Sequence, residues 1–314
     1  MKPSEVEKPR MENSTVLMTG GNGFLGTVLR KPLQRQGFSV LTLGRSAGNA
    51  LCVDLSQEIP ELPAADWVLH AAGKAHTVPG NAAEEQAFFQ VNLEGTKNLC
   101  AALERSTSLP KALIFISTVA VYGRSEGLLL DEHTALQGAT PYAQSKREAE
   151  DWLLQWAREK GVTLGILRLP LVVGPHPPGN LGAMIQGIRN GNYLRIGKAT
   201  ARKSMVLAED IADILPRIAD VGGTYNLTDG YHPSFGELEE SICKVLNKPL
   251  PREIPLWLAK GLGRVGDWFG PNFKITSDKV AKITSDLTFD DTRAREKLGW
   301  NPRRVLEVLP EYLK

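Results

Sequence analysis

Apolar positions fall into two rhythms along the first half of the chain. Short, nearly continuous apolar runs occur at TVLMTG (15–20), SVLTLG (39–44), WVLHAAG (67–73), KALIFISTV (111–119) and TLGILRLPLVVG (163–174). Such runs suit strands buried on both faces. Between them, GFLGTVLRKPLQRQG (23–37), AFFQVNLEGTKNLCAALERS (87–106) and TPYAQSKREAEDWLLQWAREKG (140–161) repeat their apolar residues every three or four positions. That period predicts amphipathic helices, the first closing at Gly37 and the last at Gly161.

Strands alternating with helices, joined by right-handed crossovers, predict an α/β fold built on a doubly wound parallel (Rossmann) sheet. Its dinucleotide-binding domain is expected over 14–175. After GPHPPGN (174–180) the segments shorten and prolines and glycines interrupt them. Residues 176–314 are read as a smaller, mostly helical substrate lobe, interleaved with the last strands of the sheet. The polar first 13 residues read as a disordered tail, with Met11 open as an alternative start. PLWLAKGLGRVGDWFG (255–270) places Trp257 and Trp268 on a helix, where core packing or a lid over the substrate is favoured over a membrane-surface or partner role.

Composition narrows the function classes. The 314 residues are 42% hydrophobic and 23% charged, ordinary for a soluble enzyme. A net charge of +2 gives no basic field for nucleic acid or an anionic membrane. No apolar segment has the length of a signal peptide or a membrane span, so no membrane insertion is expected. Cys52, Cys100 and Cys243 are scattered and odd in number, which fits a reducing, cytoplasmic setting rather than a disulfide framework. The five histidines form no pair at ligand spacing, and no metal is expected. His76, in AGKAHTVPG, is either a substrate contact or a loop histidine without such a role.

The first strand runs into Gly20-x-x-Gly23-x-x-Gly26 and then a helix. In that setting the first glycine permits the turn, the second lets backbone approach a pyrophosphate, and the third lets helix and strand pack closely. Phe24, Leu25 and Gly26 open the helix, whose free N–H groups and dipole favour phosphate. A carboxylate ending the second strand would grip the ribose hydroxyl of NAD. Here that strand ends in Gly44-Arg45-Ser46, which favours NADP with NAD as the alternative, unless Arg45 is merely a solvated loop cation.

TGGNGFLG (19–26) resembles the cofactor loop of the extended short-chain dehydrogenases/reductases, the family of nucleotide-sugar epimerases, dehydratases and reductases. The resemblance continues in order along nearly the whole chain. It implies that Asp54 contacts adenine, with Leu55 beside it, and that Ala71, Ala72 and Gly73 flank the cofactor. Tyr142 and Lys146, four apart on one helix face, look like the family's catalytic pair. A nearby ammonium lowers a phenol's pKa, so Tyr142 can exchange a proton with a substrate oxygen, while Lys146 also holds the nicotinamide ribose. Counting back from Val121-Tyr122-Gly123 gives Thr118 as the third catalytic residue, with Ser117 beside it. The family's dehydratases carry Asp-Glu directly after that threonine. Val119 and Ala120 stand there instead and argue against a 4,6-dehydratase.

On the substrate side, LRLPLVVGP (167–175) resembles the strand that ends at the substrate cleft. Asn180 matches a position that contacts the nucleotide diphosphate. In ATARKSMVLAEDIADIL (199–215) the diphosphate cation is Arg202 by geometry or Lys203 by register from Asp210, and Asp210 itself is expected to cap the following helix. Leu298-Gly299-Trp300 resembles a packing motif of the family's C-terminus.

The resemblance implies an NAD(P)-dependent enzyme acting at C4 of a nucleotide-activated hexose. Arg45 leans the reading toward a reductase of a 4-keto-6-deoxy sugar nucleotide, N-acetylated in the enzymes of bacterial surface polysaccharides that it resembles. A 4-epimerase with tightly held NAD uses the same three catalytic residues. A non-catalytic dinucleotide sensor is disfavoured because all three are present. Homodimerisation through the helices flanking the sheet, one of them bearing Tyr142, is expected from the family.

Overall fold

The computed structural model describes residues 14–268, 270 and 276–313, so the expected N-terminal tail and Met11 lie outside the described residues. In chain order the elements are β1 (Thr15–Thr19), α1 (Phe24–Arg35), β2 (Ser39–Gly44), β3 (Leu51–Cys52), β4 (Trp67–His70), α2 (Ala82–Phe89), α3 (Gly95–Arg105), β5 (Ala112–Thr118), β6 (Gly127–Leu130), α4 (Pro141–Lys160), β7 (Thr163–Leu169) and β8 (Leu171–Val173). There follow α5 (Gly179–Arg189), β9 (Leu194–Ile196), β10 (Met205–Leu207), α6 (Ala208–Val221), β11 (Gly223–Asn226), α7 (Phe235–Leu246), β12 (Arg252–Ile254), α8 (Leu256–Asp267), α9 (Ser277–Thr284), β13 (Leu287–Phe289), α10 (Thr292–Leu298) and α11 (Val305–Leu313).

Seven strands form one parallel sheet in the order β3-β2-β1-β4-β5-β7-β11, so the fold is the doubly wound α/β arrangement predicted from the alternation. The chain direction reverses its progress between β1 and β4, and such a switch point leaves a crevice at the strands' carboxyl ends. One face of the sheet packs on Leu29 and Leu33 of α1 and Ile211, Leu215 and Ile218 of α6. The other packs on Leu99 and Leu103 of α3 and Leu153 and Trp156 of α4. A separate apolar cluster joins α5, α7 and α11 through Leu181, Ile242 and Leu309.

Four expectations are corrected. The apolar run 163–174 is two strands, because Pro170 has no N–H to donate to a ladder. β8 leaves the main sheet and pairs with β10. The single helix expected over 87–106 contains a π turn at Gln90–Glu94, which seats the buried Asn92 side chain on the polar groups of a neighbouring loop and helix. Asp210 is not the helix cap. It lies in the first turn of α6 and accepts Arg303 N at 2.7 Å, Nε at 2.8 Å and Nη2 at 2.6 Å.

The fourth correction concerns the tryptophans of α8. Neither is in a core: Trp257 is 74% exposed and Trp268, just past the helix, 92%. The helix touches the protein through Ala259, Gly263 and Gly266, where a Cβ on Gly263 would already sit 3.0 Å from Ser277 N. Small residues face inward, so the large ones face out.

Candidate active site

The glycine loop folds as its spacing dictates. Gly20 has φ +71°, and a Cβ there would lie 2.7 Å from Ala72 N. A Cβ on Gly26 would lie 2.3 Å from Gly20 O, so the first turn of α1 packs directly on the strand end. No side chain caps α1 at Gly23 and its first turn has no acidic residue, leaving the free N–H groups of Phe24, Leu25 and Gly26 for an anion. Phe24 and Leu25 contribute backbone there. The Phe24 ring lies against Gly174, and Leu25 packs into the core.

A cleft of about 460 Å³ opens beside this loop. Gly20, Gly23, Arg45, Asp54, Leu55, Ala71, Ala72 and Gly73 all line it, joined by Asn22, Ser46, Asn49, Ser56 and Val91. This is a donor-rich cradle that backbone atoms or glycines floor wherever a side chain would intrude, and it fits a dinucleotide. Arg45 is 71% exposed at its side chain, with Nη1 4.0 Å from Asp54 Oδ2. Asp54 accepts Ser56 N at 3.0 Å and Ser56 Oγ at 2.7 Å through Oδ1.

The wall at Ala71–Gly73 is fixed by a chain of hydrogen bonds that the sequence reading did not identify. Ala72 N donates to Thr19 Oγ1 at 3.1 Å, which lies 2.6 Å from His70 Nδ1. His70 Nε2 lies 2.8 Å from Thr96 Oγ1, which donates to Asn92 O at 2.6 Å. Since the Thr96 proton is committed, His70 must donate from Nε2 and accept at Nδ1. Burial, then the Lys146 charge, pushes His70 down to about 3, so the ring stays neutral and the chain keeps one direction. Asn92 extends the network. Its Oδ1 accepts Lys74 N at 2.7 Å, and its Nδ2 donates to Ser145 Oγ at 2.9 Å. A polar residue on the apolar stripe of a predicted helix was the available signal for Asn92.

Thr118, Tyr142 and Lys146 converge at the carboxyl end of β5. Thr140 caps α4 by accepting Ala143 N at 3.2 Å, and Pro141 opens the helix with its fixed φ. Tyr142 and Lys146 then stand one turn apart. The Lys146 Nζ donates to Ile116 O at 2.8 Å and lies 4.4 Å from the Phe115 ring centre. A Cβ on Gly73 would meet this Nζ at 3.2 Å, so the ammonium borders the dinucleotide cleft. Tyr142 hydrogen-bonds Thr118, whose Oγ1 also accepts Ala120 N at 3.2 Å.

The electrostatics differ from the expectation that Lys146 depresses the Tyr142 phenol. Burial raises the Tyr142 pKa, opposed by the Thr118 hydrogen bond. Burial also pushes Lys146 down to about 8, opposed by the charge of Glu150. Burial disfavours both charged forms, and the ammonium turns to a carbonyl and a ring face rather than to the phenol. Glu150, one turn further along α4, is buried. It accepts the Ser117 hydroxyl in a short hydrogen bond and Arg168 Nη2 at 2.7 Å.

The remaining candidates lie apart from the dinucleotide cleft. Asn180 is exposed in the first turn of α5, next to Gly179, where a Cβ would sit 2.9 Å from His76 Nδ1. The two loops therefore meet. Arg202 donates to His232 O at 2.9 Å and lies 3.7 Å from Glu237 and 5.9 Å from the Tyr231 ring centre. Lys203 is half-buried, and burial pushes it down to about 8 against the charge of Asp286.

Comparison with known proteins accords with this geometry. The chain is 30% identical over 320 residues to a UDP-glucose 4-epimerase of Vibrio cholerae, covering 93% of this chain and 92% of that one. It is 27% identical to an N-acetyl-α-D-glucosaminyl-diphospho-ditrans,octacis-undecaprenol 4-epimerase of Escherichia coli O157:H7, over 90% and 88% of the two chains. A GDP-6-deoxy-D-mannose reductase of Pseudomonas aeruginosa is 28% identical over 59% of this chain and 64% of its own. In fold, the RMD structure from Pseudomonas aeruginosa complexed with NADPH matches at TM-score 0.72 and 21% identity, over 95% or more of each chain. The Thermus thermophilus UDP-glucose 4-epimerase complex with NAD also matches at TM-score 0.72, with 20% identity over 95% of this chain and 98% of that one. The matching family model spans residues 16–227, from the strand before the glycine loop to the last strand of the sheet. With the glycine loop, Thr118, Tyr142 and Lys146 all inside that span, the chain belongs to the NAD-dependent epimerase/dehydratase family.

Proposed function

We propose that this protein is an NADPH-dependent reductase of a nucleotide-activated 4-keto-6-deoxyhexose, with an N-acetylated sugar as the favoured form. The observation that carries the choice is the end of β2. Gly44 closes that strand without a carboxylate, and Arg45 lines the dinucleotide cleft beside it. A guanidinium suits a 2′-phosphate, whereas NAD specificity calls for an acid at this point.

When bound, NADPH supplies a hydride to C4 of the sugar. Tyr142 supplies the proton to the C4 oxygen as it becomes an alkoxide, and its raised pKa keeps it protonated until then. The single Thr118 hydroxyl proton, which serves Tyr142 in the free protein, turns to the same oxygen when substrate is bound, holding the reacting atom at the strand's end. Lys146 presents its charge at the cleft wall and holds the nicotinamide ribose. Lys203 is the better candidate of the two cations for the diphosphate. Arg202 is already engaged by Glu237, His232 and Tyr231, while an anionic ligand would relieve the cost of burying Lys203. Val119 and Ala120, which follow Thr118, have no proton to give or take, which speaks against an eliminating enzyme.

A second reading, a 4-epimerase with tightly held NAD, is supported by the 30% identity to the Vibrio cholerae enzyme over nearly the full chain. One experiment separates the two. The purified protein is incubated with UDP- and dTDP-linked 4-keto-6-deoxyhexoses and NADPH, and separately with UDP-glucose and UDP-N-acetylglucosamine without added reductant. Stoichiometric NADPH consumption, lost in Tyr142→Phe, supports the reductase. NAD that copurifies, together with redox-neutral interconversion at C4, overturns it.

A further inference from the structure

The proposed chemistry leaves the exposed face of α8 unused. The helix buries only Ala259, Gly263 and Gly266 and is tied at its end by Asp267, which accepts Ser277 N at 2.9 Å, and every larger side chain on it is at least partly turned to solvent. At about 100° per residue, Trp257, Leu258, Leu262, Val265 and Trp268 fall on one continuous arc opposite or beside that anchor. Their exposures are 74%, 39%, 41%, 55% and 92%. Lys260 and Arg264 flank the arc on its edge near Trp257. No helix among the described residues is long and apolar enough to cross a membrane, so this face lies on a surface rather than through one.

We propose that α8 docks the protein on an anionic lipid bilayer, lying in the plane of the headgroups. The layout is that of an interfacial helix: aliphatic residues and tryptophans on one side, cations at the boundary, and no carboxylate within the apolar arc. Tryptophans at the two ends suit the headgroup level, where an amphipathic ring sits best. Charge complementarity selects lipid over a neutral partner. Residues 248–268 contain four Lys or Arg against two Asp or Glu, so this short segment alone carries a net charge of +2, as large as that of the entire chain. A second copy is the competing occupant, and the oligomeric state tests it. Two further leucines are exposed nearby in the chain, Leu250 just before β12 and Leu194 on its partner strand β9, at 53% and 46%. The docking stands independently of which sugar the active site takes.

The test is co-sedimentation of the full-length protein with phosphatidylcholine vesicles, with and without phosphatidylglycerol. Binding is expected only with the anionic lipid, weakened by salt, with a blue shift of tryptophan fluorescence. Lys260→Gln with Arg264→Gln lowers the partition about thirtyfold, since each cation near such a surface contributes on the order of fivefold. Trp257→Ser with Trp268→Ser abolishes both binding and blue shift while NADPH affinity is unchanged, which shows that the variant is folded. The proposal is overturned if the wild type stays in the supernatant at every lipid composition. It is equally overturned if the wild type is a dimer in solution that the double tryptophan variant splits, because the face then belongs to a second copy.

Discussion

Glu150→Gln removes one buried charge from α4 and leaves its partner behind. In the native protein the Glu150 carboxylate takes Arg168 Nη2 at 2.7 Å and Nε at 3.1 Å, together with the Ser117 hydroxyl. The Arg168 side chain is only 7% exposed, so water cannot replace the lost anion. Breaking a buried pair from one side costs 3–5 kcal/mol, and the amide retains one acceptor, so a loss of ~3 kcal/mol is expected. For a chain of 314 residues that lowers the melting temperature by about 5 °C. The same change reaches Lys146, which burial has already pushed down to about 8 and which the Glu150 charge holds up. Without that charge the ammonium loses its proton at lower pH. The alkaline limb of kcat/KM for NADPH-dependent turnover then moves to lower pH, while the plateau below it is kept. Thermal melting reads the first effect and a pH–rate profile the second. Glu150→Leu with Arg168→Met separates them: both charges go, stability returns close to the wild type, and the shifted limb remains. A Glu150→Gln variant that melts like the wild type, or whose alkaline limb is unmoved, refutes the reasoning.

Three further outcomes follow from the site. Lys146 has a folded pKa of about 8 against an ordinary 10.5, so the unfolded chain binds more protons between those values and native stability rises with pH across that window. Lys146→Met abolishes turnover and roughly halves that rise, the remainder belonging to Lys203, which is also pushed down to about 8, as followed by denaturant melts from pH 7 to 10. Arg45→Leu raises the KM for NADPH about tenfold and leaves that for NADH unchanged. A charge-assisted bond to phosphate is worth 1.5–3 kcal/mol, and the exposure of this side chain places it at the low end. Gly26→Ala puts a Cβ 2.3 Å from Gly20 O, so the loop must move. Fluorescence titration should detect no NADPH binding, with the melting temperature as the check that the fold persists.

The parts of this molecule legible in its sequence are those fixed by local rules. Period and run length identify the strands and helices of the sheet, because each must bury a defined face. Gly20 and Gly26 are readable because backbone geometry leaves no other residue at those positions. Tyr142 and Lys146 are readable because one helical turn brings them together. What the sequence conceals depends on partners far along the chain. Asp210 looks like a cap until Arg303, ninety-three positions away, claims it with three hydrogen bonds. The pKa relation of Tyr142 and Lys146 follows spacing only in water, and the burial of both reverses it. The orientation of α8 turns on three small residues, of which Gly263 shows its inward role only once Ser277 is packed against it.

The π turn at Gln90–Glu94 has a consequence for the geometry of the whole segment. An unbroken α-helix advances about 100° per residue, so one extra residue in a turn rotates everything after it by about that much. Upstream of the turn, Phe88 faces α4, with its ring 6.1 Å from that of Tyr142. Downstream, Leu99, Cys100 and Leu103 face the sheet. A single straight rod could not point at both neighbours from this sequence, and the spare residue acts as a phase shifter between them. Asn92 is the pin that holds the shift, tied to Lys74 on one side and Ser145 on the other. Deleting one residue here would restore a regular helix and swing its far half out of register with the core, so this short stretch tolerates exchange of side chains far better than any change in length.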